Sequence, residues 1–163
     1  MRRRILWVLA AVVASTAVVR PSVSAAATPA KPTATPAAGS GLPDLAPTVG
    51  KAASEVDLLT KKLGPRLRTL MGAKAYEFML EVWNVETPIE LEEGVFHANG
   101  CEQHNCGDVG FHVFIDPAHD NINVFAYFGG KGTDYHEKGA IALPKGFASH
   151  FAAVRSDYEI TPR

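Results

Sequence analysis

The chain has 163 residues, 47% hydrophobic and 20% charged, with a formal net charge of −1. That length suits one ordinary domain, and that composition is globular rather than disordered. The near-neutral charge gives polyanion binding no global support. Two cysteines are too few for a disulfide-dense toxin scaffold, and no apolar run after the N-terminus resembles a membrane span.

Arg2, Arg3 and Arg4 precede an apolar run from Ile5 to Val19. About 15 residues is short for a bilayer span, which needs roughly 20. A basic start, a short apolar stretch and the small residues Val23-Ser24-Ala25 describe a secretory signal, expected to be cut after Ala25. With no cysteine beside that site, a lipoprotein anchor is excluded. The expected location is therefore periplasmic or secreted, with no membrane attachment after cleavage; an uncleaved N-terminal anchor is the competing reading. Removing Arg2, Arg3, Arg4 and Arg20 lowers Lys+Arg from 16 to 12 against 17 acidic residues, a formal charge of −5. Such a chain is attracted to a basic partner, although solubility alone also accounts for the charge.

Residues 26–50 are rich in Ala, Pro, Thr and Gly and have no apolar period. Repeated prolines block helix and sheet, so this stretch reads as a disordered tether. The folded domain is expected over residues 51–163.

Within it, Ser54 followed by Asp57 reads as a helix start, with Val56, Leu59 and Leu63 at helical spacing. Gly64-Pro65 interrupts, and Leu67, Leu70 and Met71 resume the stripe. Ala75, Phe78, Met79, Val82 and Trp83 fall on one helical face, so residues 73–83 read as helix, although a strand is the competing pattern. From Thr87 the period is closer to two. Strands are expected around Ile89–Leu91, from Val95 to Ala98, from Val109 to Ile115 and from Ile122 to Phe128. The last two are joined as a hairpin through the polar turn 116–121. Lys138 to Leu143 reads as a weak strand. Pro144 then opens a helix to Val154, with Phe147, Phe151 and Val154 on one side. The sum is an α+β domain, an antiparallel sheet with helices packed on it.

The sharpest feature is Gly100-Cys101-Glu102-Gln103-His104-Asn105-Cys106-Gly107, between two expected strands. An exported chain meets an oxidising compartment, so Cys101 and Cys106 are expected to form a disulfide. So short a loop stabilises by only about 2 kcal/mol on the chain-entropy model, which makes global stability a poor reason for it. Holding His104 in an ordered protrusion is a better one, since pre-ordering reduces the entropy lost on binding. Other readings compete. Cys101, His104 and Cys106 are metal-ligand types, but structural zinc takes four ligands, usually with tighter pairing. Redox pairs are typically Cys-x-x-Cys at a helix start, and this spacing is wider. A stapled hairpin with an idle histidine is the plainest reading of the residues by themselves.

The Cys-x-x-His-x-Cys-Gly pattern resembles the loop of the inhibitor of vertebrate lysozyme family, Cys-Lys-Pro-His-Asp-Cys, which precedes a β-hairpin. Cys101, His104, Cys106 and Gly107 match, and the hairpin from Gly110 to Phe128 has similar length and patterning. The resemblance spans roughly Ser54 to Phe128. It implies a periplasmic, often dimeric, inhibitor of c-type lysozymes. Its loop (Glu102, Gln103, His104 and Asn105) enters the glycosidase cleft, and His104 contacts the catalytic carboxylates. It implies no cofactor, no metal and no catalysis. Glu102-Gln103 stand where the family has Lys-Pro, and Asn105 where it has Asp. Either Glu102 faces a cationic rim, or the target is a lytic transglycosylase or bacterial muramidase. A metal-binding or thiol-redox protein is the alternative from another class.

The remaining histidines, His97, His112, His119, His136 and His150, read as ordinary surface or core residues. Gly129 to Thr133 lacks the ending of a phosphate loop and reads as a flexible turn. No nucleophile triad or paired-carboxylate motif stands out, so no enzymatic activity is expected.

Overall fold

The computed structural model describes residues 41–162; the expected signal segment and residues 26–40 of the expected tether lie outside them. Helices α1 (Gly64–Met71) and α2 (Ala73–Val82) are followed by strands β1 (Val85–Glu86), β2 (Glu90–Glu92), β3 (Val95–Cys101), β4 (Val109–Asp116), β5 (Asn121–Phe128) and β6 (Lys131–His136). Helix α3 (Lys145–Arg155) and strand β7 (Glu159–Pro162) complete the order. The strands form one seven-stranded sheet in the order β1-β3-β4-β5-β6-β7, with β2 also paired to β3. All pairings are antiparallel except β6 with β7. The architecture is the α+β one expected.

The sheet buries both faces, which is why β4 reads as a near-continuous apolar run. Val109, Phe111, Val113 and Ile115 alternate onto one face with Ile122 and Val124, and there meet Leu67, Met71, Met79 and Val82 of α1 and α2. This is the main core. Leu42 and Leu45 are buried in it as well, so packing extends N-terminal of Lys51. The opposite face is thinner: Val95, Phe114 and Ile141 are buried, with Leu143 and the α3 residues Phe147 and Phe151 partly covered.

The helix over residues 73–83 is borne out, as are the β4–β5 hairpin and α3. Several local expectations are corrected. Ser54 does not cap a helix: its hydroxyl and its N–H donate to the Glu86 carboxylate, and Asp57 sits at φ 53°. That left-handed residue leads into a π-helical turn, Leu58–Lys62. Gly64-Pro65 opens α1 rather than interrupting a stripe. Proline fits the first turn, where no N–H donor is needed. Gly64 itself is required by packing, since a Cβ there would stand 2.9 Å from the Tyr76 hydroxyl.

Residues 138–143 form no strand. Asn121 holds their start instead, accepting from the Lys138 N–H at 3.1 Å and donating to the Gly139 carbonyl at 3.0 Å. The strand lies earlier, at β6. Gly129 and Gly130 have φ of 58° and 74°. Two successive left-handed residues make the turn whose twist matches a β-hairpin, so the Gly-rich run is a hairpin turn. Helix α3 takes its N-terminal cap from a distant strand: the Glu92 carboxylate accepts from the Gly146 and Phe147 N–H groups at 3.0 and 3.2 Å. A carboxylate at a helix N-terminus satisfies free donors and complements the helix dipole.

Candidate functional site

Cys101 ends β3 and is paired with Gly110 of β4, so the chain must return within eight residues. The sequence meets this with a disulfide between Cys101 and Cys106. The thiols are consumed in that bond, which leaves Cys101 and Cys106 no thiolate for a metal. Among the described residues no group of three or more His, Cys, Asp or Glu stands where it could hold a metal ion.

Inside the loop the backbone closes on itself. The Asn105 N–H donates to the Glu102 carbonyl at 3.0 Å, and the Asp108 and Val109 N–H groups both donate to the Asn105 carbonyl at 3.0 Å. The Glu102 N–H reaches the Val109 carbonyl at 3.2 Å. This winding brings His104 to φ 64°, a left-handed conformation at the apex. A non-glycine residue held there is uncommon and is imposed by its surroundings. Gln103 and His104 are exposed, whereas Glu102 and Asn105 are half-buried.

The four loop residues expected to meet a target thus divide into two pairs. Gln103 and His104 form the tip. Glu102 and Asn105 turn toward each other, the Asn105 amide donating to the Glu102 carboxylate at 2.7 Å. One carboxylate oxygen of Glu102 is engaged inside the loop, in a charge-assisted hydrogen bond, rather than directed at a rim outside it. Asparagine suits this position because it supplies a donor that aspartate lacks.

The loop is also held from below. Tyr127 of β5 donates to the Cys106 carbonyl at 2.9 Å, and Tyr158, between α3 and β7, donates to the Gly107 carbonyl at 2.9 Å. Gly110 leaves room for this, since a Cβ there would stand 2.3 Å from the Tyr127 hydroxyl. Neither tyrosine was singled out from the sequence. They lie 21 and 51 residues from the carbonyls they reach, and no local pattern reports such contacts.

A second polar group lies on the α3 face, where only ordinary histidines were expected. His97 and His112 are buried and share a hydrogen bond of 3.0 Å between His97 Nε2 and His112 Nδ1. His97 Nδ1 lies 3.3 Å from the Glu90 carboxylate. A carboxylate only accepts, so His97 Nδ1 carries the proton. Burial favours the neutral form of both rings, and with both neutral His97 Nε2 accepts from His112 Nδ1–H. Phe114 stacks on His97 at 4.6 Å, and Phe147 and Phe151 cover the pair from α3. Burial holds both imidazoles below their ordinary pKa, His112 down to about 3; Glu90 opposes the shift at His97, the His97 charge adds to it at His112, and His150 adds to it at both.

The site is thus a short disulfide loop at one end of the sheet of a small α+β domain, with Gln103 and His104 exposed at its tip. The chain matches the family described as inhibitor of vertebrate lysozyme over residues 62–153, more than half its length, and belongs to that family. The match includes the loop and most of α3, and stops short of Tyr158 and β7. Comparisons with curated proteins and with solved structures returned no match.

Proposed function

We propose that the protein is an exported inhibitor of c-type lysozyme that inserts the Cys101–Cys106 loop into the glycosidase cleft, with His104 against the catalytic carboxylates. The observation that carries this reading is the division of the loop. His104 and Gln103 are exposed at the tip, while Glu102 and Asn105 satisfy each other. A retaining glycosidase sets two carboxyl groups about 5 Å apart across its cleft. An imidazole carries two ring nitrogens, and as imidazolium both donate, so one ring can bridge two carboxylates. Glu102 would repel those carboxylates if it pointed forward; its bond to Asn105 keeps it from doing so. The inhibitor then blocks substrate without chemistry of its own. The closed loop limits the ordering entropy lost on association.

Cleft insertion makes binding exclusive with occupation of the cleft by sugar. In a titration of a vertebrate lysozyme with the purified protein, a saturating N-acetylglucosamine oligomer should raise the apparent Kd in proportion to its concentration. An apparent Kd that ignores the oligomer places the contact outside the cleft and sinks the reading.

A further inference from the structure

The disulfide joins Cys101 to Cys106 and stops there. Gly107 and Asp108 connect the loop to β4, and the Asp108 and Val109 N–H groups reach back across that connection to the Asn105 carbonyl. Two phenols act on this connection from outside the loop: the Tyr127 and Tyr158 hydroxyls donate to the carbonyls of Cys106 and Gly107. Their rings lie 4.7 Å apart, and Tyr127 packs on Phe125, so the pair is one aromatic support. Tyr158 comes from the far end of the chain. Its neighbour Glu159 donates its N–H to the Gly130 carbonyl at 2.9 Å, and β7 then pairs in parallel with β6. Gly129 in turn donates to the Asp108 carbonyl at 3.2 Å. The C-terminal segment, the β5–β6 turn and the loop base are therefore tied together at one end of the sheet.

Resting on the inhibitory reading of the loop, we propose that Tyr158 is a positioning residue: its hydrogen bond to the Gly107 carbonyl fixes the pitch of the loop and so where His104 is presented to the glycosidase. Burial pushes the Tyr127 phenol up to about 12, and burial with the nearby Asp157 and Asp108 charges raises Tyr158 too. Both hydroxyls therefore remain neutral donors at physiological pH. A loop freed at Gly107 would sample several pitches, and binding would have to select one of them.

Tyr158→Phe removes the donor and keeps the ring. The test compares wild type, Tyr158→Phe and His104→Ala in two assays: inhibition of a vertebrate lysozyme, and reduction of Cys101–Cys106 by dithiothreitol under native conditions. Tyr158→Phe should weaken inhibition about 3- to 10-fold, the worth of one net hydrogen bond. It should also speed reduction by a similar factor, with the melting curve unmoved. A residue that merely supported the fold would shift the melting curve and leave the other two readouts in step with it. If His104→Ala loses inhibition and Tyr158→Phe does not, the positioning role is wrong and the inhibitory reading stands. Faster reduction without weaker inhibition is equally fatal to it. If His104→Ala inhibits as well as wild type, the inhibitory reading itself fails and the presentation of His104 goes with it.

Discussion

Acidification from pH 7 to pH 5 should lower the unfolding free energy by about 2 kcal/mol through His112 alone, with His97 adding to the loss. The sign follows from the burial of two neutral imidazoles. In the unfolded chain each histidine takes up a proton near its ordinary value of about 6.5. In the folded chain His112 resists protonation down to about 3, and His97 is shifted in the same direction. Their contribution is therefore intact above about pH 6.5 and is lost progressively as pH falls toward the folded values. Glu90 from β2 opposes the shift at His97, and His150 from α3 reinforces it at both rings. The effect should appear first where the cover is thinnest. Helix α3 buries no residue fully, whereas β4 is buried along nearly its whole length, so the amides of α3 should lose exchange protection before those of β4. Urea titrations at pH 7 and pH 5 give the free energies. His112→Asn keeps a donor toward His97 and removes the titrating group, so it should cut the pH-dependent loss by about 2 kcal/mol. Parallel curves for variant and wild type would show that the pair does not govern acid stability.

The second large effect concerns the charge inside the loop. Asn105→Asp puts a carboxylate where the amide now donates to Glu102 at 2.7 Å. Two like charges in contact break the bond and push Glu102 outward, toward the carboxylates of the target. Inhibition should fall by about 10-fold or more, since a charge-assisted bond is worth about 1.5–3 kcal/mol. The family's own pattern has Lys and Asp at these two places, opposite charges in the positions that Glu102 and Asn105 occupy. The double variant Glu102→Lys, Asn105→Asp restores an attractive pair and should recover most of the inhibition lost by Asn105→Asp. If the double variant is as weak as the single one, the pair does not act as a unit.

How far the sequence carries depends on the range of the forces involved. Helix α2 was legible because Ala75, Met79 and Val82 repeat at helical spacing. Strands β4 and β5 were legible because β-branched and aromatic residues are concentrated in them. Strand β6 was not: Lys131-Gly132-Thr133-Asp134 lacks apolar alternation, and Asp134 is buried only because Arg155 of α3 pairs with it. Strand β7 has four residues and exists through its pairing with β6. The turn at Gly129-Gly130 was readable in principle, since two adjacent glycines between strands favour a hairpin. At the site, the disulfide and the prominence of His104 followed from residue type, spacing and the expectation of export. What the loop does with Glu102 did not, because it depends on a side-chain contact within a backbone turn. The tyrosines beneath the loop and the histidine pair beneath α3 are long-range consequences of sheet register.

The central claim is that His104 at the tip of the Cys101–Cys106 loop is the inhibitory group. The most direct test is inhibition of a vertebrate lysozyme by the purified protein and by His104→Ala, with the melting curve and disulfide content of the two verified as equal. The account predicts inhibition by wild type at micromolar concentration or below and a loss of about 10-fold or more on substitution, the worth of truncating a central charged contact. Equal inhibition by the two proteins would contradict it.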